Sequence, residues 1–165
     1  MVRSFVDKFD CDIEEVFNTL IHCENINVFE LFHKRIKKYE AVYDDDKYLG
    51  FNIEFDIGDG TIASIFNEIV FYKYCKEIRY VTKNFTTKDG KDISQLLWLP
   101  YKGMAQRVVF NSVRNKTEIY HQIYLNTNGL LSWLQCYFYI FPAMKKEELI
   151  VNKKLKIHFA KKNIA

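Results

Sequence analysis

From residue 47 to residue 57 the chain alternates. In KYLGFNIEFDI, Leu49, Phe51, Ile53, Phe55 and Ile57 share one side and Tyr48, Asn52, Glu54 and Asp56 the other. That two-residue period is the mark of a half-buried antiparallel strand. Gly58-Asp59-Gly60 predicts a hairpin turn into TIASIFNEIVF, and KEIRYVTKN at 76–84 reads as the next strand. GMAQRVVFNSV and TEIYHQIYLNT give two more, joined by a turn at Arg114-Asn115-Lys116. Residues 85–102 are mixed, with DG at 89–90 and LLWLP at 96–100, and fit either an added strand or a long loop.

The two ends of the chain are different. VRSFVDKF at 2–9 is a short strand pattern. Asp12 then caps a helix, with Glu15 completing a D-x-x-E arrangement and Ile13, Val16, Phe17 and Leu20 on one face. A second short helix is expected over about 26–33, with Val28, Phe29 and Phe32 inward. After Asn128-Gly129 the helical period returns, and Trp133, Tyr137, Ile140, Met144, Val151, Leu155 and Phe159 approximate one long stripe. Pro142 cannot donate to the residue four back, which predicts a break or kink there.

Composition narrows the class. The 165 residues are 48% apolar and 27% charged, a globular balance, and the absence of any repeat or linker predicts one domain over 1–165. The net charge of +3 is too small to argue for nucleic acid, but residues 145–165 alone carry seven Lys against two Glu. Such a tail suits either a solvated helix face or transient contact with a membrane surface. The uncharged run GLLSWLQCYFYIFPAM at 129–144 is shorter than the roughly 20 apolar residues a membrane span needs. With no apolar signal core at the N-terminus and no C-x-x-C among Cys11, Cys23, Cys75 and Cys136, a cytoplasmic protein with reduced thiols is expected.

The order of elements resembles the START/Bet v 1 superfamily, often called SRPBCC, over nearly the whole chain. The likeness is carried by the opening FDCDIEEVFNTL, the short helix near ENINVFELF, the alternating strands, and the closing helix that ends NKKLKIHFAKK. It implies an α+β helix-grip fold. In that fold a curved antiparallel sheet of six or seven strands wraps a long C-terminal helix, two short helices follow the first strand, and a deep cavity lies between sheet and helix. It also implies a hydrophobic small molecule as ligand: a lipid, sterol, polyketide, quinone or plant hormone. Some members are aromatase/cyclases that need no cofactor.

That resemblance gives the 129–144 run a place at the start of the gripping helix. Trp133, Tyr137 and Phe141 become candidate cavity wall, beside Phe51 and Phe55 of the sheet, although the same side chains would serve as plain core. In TEIYHQIYLNT, either Thr117, Ile119, His121, Ile123 and Leu125 or Tyr120, Gln122 and Tyr124 face inward, since one residue of register inverts the set. His121 among aliphatics is a candidate general base. Arg79 or Arg107 could hold a carboxylate or a developing enolate, and Tyr80 or Tyr124 could donate to a ligand carbonyl. His121, Arg107 and Tyr80 form the expected catalytic set. No catalytic-triad, metal-ligand or phosphate-loop string is present, and Asp44-Asp45-Asp46 reads as a solvated turn, so neither metal nor cofactor is expected. The functions left standing are carriage of an oily ligand, cyclisation or dehydration of a polyketide-like substrate, and a protein-interaction module with a vestigial cavity.

Overall fold

The computed structural model describes residues 1–22, 36–58, 60–93, 100–114 and 116–162. The expected helix over 26–33 lies outside these residues. Strand β1 (Val2–Phe9) leads into helix α1 (Ile13–Phe17), which ends in a π-helical turn at Asn18–His22. Asp12 caps α1 by accepting a hydrogen bond from the Glu14 backbone N–H at 2.7 Å.

Six strands follow: β2 (Ile36–Asp44), β3 (Lys47–Gly58), β4 (Thr61–Lys73), β5 (Glu77–Thr87), β6 (Tyr101–Val113) and β7 (Lys116–Thr127). The seven strands make one sheet in the order β1-β7-β6-β5-β4-β3-β2, with every pair antiparallel. The acidic run is the β2–β3 hairpin. Asp45 and Asp46 sit at φ 43° and 66°, the left-handed pair that a two-residue turn requires. Bulges between Ile65 and Phe66, between Ile69 and Phe71, and between Tyr101 and Met104 bend the sheet.

Within the ambiguous 85–102 stretch, β5 runs on to Thr87, and Thr86 pairs with Asp92 across a tight turn. β6 begins at Tyr101. Residues 94–99 lie outside the described set.

The closing helix runs from Gly129 to Lys162 in three joined parts: α2 (Gly129–Gln135), a π-helical turn (Cys136–Ile140) and α3 (Phe141–Lys162). The expected break at Pro142 is therefore resolved differently. The wide turn just before the proline lets the Phe141 N–H donate to the Cys136 carbonyl five residues back. A missing proline donor is absorbed there without ending the helix.

Two packed clusters hold the helix against the sheet. One joins Phe9, Cys11, Val16, Phe17, Ile78, Val108, Phe110, Ile119, Leu155 and Phe159. The other joins Ile123, Leu125, Cys136 and Phe141.

Candidate functional site

Ile78, Val108 and Phe110 of the first cluster and Ile123 of the second also line a cavity of about 560 Å³. The sheet supplies Tyr39, Tyr48, Phe51, Ile53, Ile69 and Tyr80, and α1's extension supplies Leu20 and Ile21. The closing helix roofs it with Ile140, Ala143, Met144, Glu147, Glu148 and Val151. These positions fall three or four apart, the spacing that puts helical side chains on one face.

The wall is apolar except at a few points. Tyr80 Oη donates to Gln106 Oε1 at 2.6 Å, and burial pushes the Tyr80 hydroxyl above the ordinary tyrosine value. Tyr48 Oη donates to the Ile21 carbonyl at 3.3 Å.

The main polar feature is assembled from three distant parts of the chain. His121 Nε2 on β7 lies 3.3 Å from Asp7 Oδ2 on β1 and 3.5 Å from Glu148 Oε1 on α3. Phe5, the cross-strand partner of His121, stacks on the imidazole with ring centroids 4.6 Å apart and planes 11° from parallel. That contact fixes the ring's orientation.

Asp7 Oδ2 is buried and lacks a well-aligned hydrogen bond, although His121 is near it. Burial on its own would raise the Asp7 pKa. Contacts with His121, Asn152 and Glu148 outweigh that and hold the carboxyl below its ordinary value. Glu148 goes the other way. Burial, reinforced by the charge and contact of Asp7, pushes it up to about 8. At neutral pH this corner therefore pairs a carboxylate with a neutral carboxylic acid, both beside the same imidazole nitrogen. The donor atoms of Asp7, His121 and Glu148 all lie within 4.8 Å of one another, close enough to share a divalent cation. The protonated form of Glu148 relieves the same crowding with a proton.

No family model matches the sequence, and no curated protein matches it. Solved structures do match its shape. Ara h 8.0201 superposes with a TM-score of 0.65 over 96% of this chain and 97% of its own, at 11% identity. A protein from Rhodobacter sphaeroides gives 0.68 over 96% and 91%, at 12% identity. A START superfamily protein from Mycobacterium smegmatis gives 0.58 over 95% of each chain, at 10% identity. The fold is that of the START/Bet v 1 superfamily.

Within this helix-grip frame the expected residues separate into two groups. Phe51, Tyr80, His121 and Ile123 line the cavity. Thr117, Ile119, Ile123 and Leu125 are buried on the face of β7 that carries His121, while Tyr120 and Tyr124 are exposed on the other, which settles the open question of register.

The remaining candidates need correction. Arg79 and Arg107 pair across β5 and β6 on the outer face, where both bind Glu77. They are an odd number of residues from Tyr80 and Val108 of the cavity wall, so the pleat turns them outward. Tyr124 points out and donates to Gln122. Ile119 is packed core, and Phe55 packs with Phe85 away from the cavity.

Trp133 and Tyr137 stack on each other at the surface, and the Arg3 guanidinium lies 4.3 Å from the Tyr137 ring centroid. Phe141 is buried in the second cluster. The reason is the π-helical turn. One extra residue per turn rotates everything before it by about 100° relative to an unbroken helical stripe. Ile140, Met144 and Val151 stay on the cavity face, and the aromatics upstream leave it.

Sequence reasoning gave no role to Asp7 or Glu148. A signal existed for each. Asp7 stands between Phe5 and Phe9 on the inward side of an alternating strand. Glu148 fills the gap between Met144 and Val151 in the apolar stripe. A carboxylate at an otherwise apolar inward position is the observation to flag.

Proposed function

We propose that this chain binds a hydrophobic small molecule of lipid, quinone or polyketide type between its sheet and its closing helix. The observation that supports this is the cavity. Its volume of about 560 Å³ is well above the roughly 300 Å³ at which ligand pockets begin, and its walls are aliphatic and aromatic with a single acidic corner. A vestigial cavity in an interaction module would be filled by its own side chains.

The test is native mass spectrometry of protein from its host, with organic extraction of what is bound. A Val151→Phe variant is the control. A phenyl ring entering real empty space costs less than about 1.5 kcal/mol of stability yet displaces ligand. Equal ligand retention in wild type and V151F would overturn the reading.

A second reading, catalysis, is favoured by the Asp7–His121–Glu148 corner. A poly-β-ketone bound there would lose an α-proton to His121, held by Asp7, and the carbanion would attack a ketone carbon to close the ring. The new alkoxide takes the Glu148 proton, and the proton on His121 returns to Glu148 across 3.5 Å. Loss of water follows by the same pair of transfers. Arg107, on the outer face, has no part in it. His121→Ala would abolish turnover of a poly-β-ketone analogue while retaining binding, whereas unchanged turnover would exclude this role.

We infer further that the protein touches membrane surfaces and works in the cytoplasm. Supporting the first are the outward aromatics of α2 and its π-helical turn, followed by the lysines of α3. Among the described residues, no helix is long and apolar enough to cross a membrane. Supporting the second are the free thiols of Cys75 and Cys136.

A further inference from the structure

Apart from His121, the ionisable side chains that line the cavity and carry a formal charge are acidic. Among the described residues lining it, the ionisable carboxyls are Glu147 and Glu148, and no Lys or Arg is present. Asp7 adds a third carboxyl beside Glu148. The two arginines placed near the wall in sequence, Arg79 and Arg107, are spent on Glu77 outside. The acidic corner also has an unmet need. Asp7 Oδ2 is an acceptor, buried, with no hydrogen bond of good geometry, and it lies beside His121 and Glu148, which line the chamber. A buried carboxylate oxygen in that state calls for a donor, and a cationic donor satisfies it best.

We propose that the ligand is a hydrophobic amine, with its ammonium group seated at Asp7 and Glu148 and its apolar body against Phe51, Tyr80 and Ile123. This deepens the binding reading and rests on it; it is independent of the cyclisation reading. An ammonium brings three N–H donors to a corner rich in acceptors, and the faces of Tyr48, Phe51 and Tyr80 add the attraction of aromatic rings for a cation. A fatty acid of the same length would bring a second anion next to Asp7 with no Lys or Arg to receive it and with His121 already placed beside Asp7 and Glu148, so the cavity works as a charge filter.

The groups facing Glu148 are Asp7 from β1, His121 from β7 and Tyr80 from β5, with Glu147 beside it on α3. Since an adjacent ammonium favours the ionised form of Glu148, amine binding releases a proton and tightens as pH rises from 6 to 9, below the range near 10 where an alkylamine loses its charge.

The test compares three probes with one chain length: dodecylamine, dodecanol and dodecanoate. Each displaces the neutral fluorophore N-phenyl-1-naphthylamine from the full chain at low salt and below its micellar concentration. Because the chains are equal, the apolar contribution cancels. The expected order is amine tighter than alcohol by about tenfold and alcohol tighter than acid by a similar factor, about 1.4 kcal/mol for each step. Glu148→Gln should narrow the amine–acid gap and abolish its pH dependence, and Asp7→Asn should close it. Failure of the fluorophore and of all three probes to bind would overturn the binding reading itself. Binding of the alcohol with acid as tight as amine would leave that reading standing and overturn the amine. An amine–acid gap undiminished in folded E148Q, or one that survives in folded Asp7→Asn, would overturn the seat.

Discussion

Glu148 reaches from the closing helix to within 3.5 Å of His121 Nε2 on the opposite wall, and Asp7 lies 3.3 Å from the same nitrogen. The arrangement makes stability depend on pH. The Glu148 pKa rises from 4.5 to about 8 on folding, so the folded chain holds a proton that the unfolded chain releases. Its contribution is fully present below pH 4.5 and is lost as pH rises through about 8. Urea unfolding at pH 5 and at pH 8.5 should show wild type losing a few kcal/mol more than E148Q between the two. Parallel losses would mean that Glu148 ionises freely in the folded chain.

Glu77 on the outer face has the opposite sign. Arg107, with Arg79 adding to it, holds its carboxyl down at about 2, from 4.5, despite some burial. That stability is present above pH 4.5 and disappears as pH falls through about 2. Both guanidiniums are well exposed to water, which screens the cluster. Glu77→Gln should therefore cost only about 1 kcal/mol at pH 7, and the cost should fade as pH drops through about 2. Thermal melts of the pair across that range decide it.

Gly50 is buried where β3 crosses β4. A Cβ there would collide with the Asn67 carbonyl and sit 2.9 Å from the Phe66 ring. The carbonyl is backbone and cannot step aside without shifting the ladder. Gly50→Ala should cost about 2 kcal/mol or more, measured by chemical denaturation. A neutral substitution would show that the strands sit further apart than the structure has them.

Leu131, Phe138 and Tyr139 are 71%, 61% and 73% exposed, while Ser132 and Gln135 between them are partly covered. The helix turns its oily side to solvent and its polar side to the protein. If that side meets a membrane, Phe138→Ser with Tyr139→Ser should lower binding to anionic vesicles by about tenfold or more without changing the melting temperature. Retention of binding by this variant would assign membrane contact, if any, to another surface.

Strand edges and helix starts were legible where one period ran without interruption. VRSFVDKF became β1 and the alternation at 47–57 became β3, although Tyr48, read on the polar side, is buried and lines the cavity with Phe51 and Ile53. The start of the last helix at Gly129 followed from the same logic. Which face of β7 looks inward could not be read from either face's composition, since both carry aromatics or aliphatics. The π-helical turn at Cys136–Ile140 left no periodic trace, and it moved Trp133 and Tyr137 out of the cavity. Asp7 and Glu148 come together only through long-range packing, and a single period cannot place residues from β1, β7 and α3 at one point.

The union of β1 with β7 also has a meaning for how the molecule is born. Val2 lies opposite Tyr124, and the N-terminal ammonium donates to the Leu125 carbonyl at 2.8 Å, a contact spanning 124 positions. Every hairpin from β2 to β7 can zip locally, whereas β1 must wait for a loop of that length to close. Asp7 travels with β1. The acidic corner is thus among the last features to exist on the folding path, and until β1 arrives the nascent chamber is open along its β7 edge. A hydrophobic guest present during synthesis would find its widest door then, before the first strand shuts it.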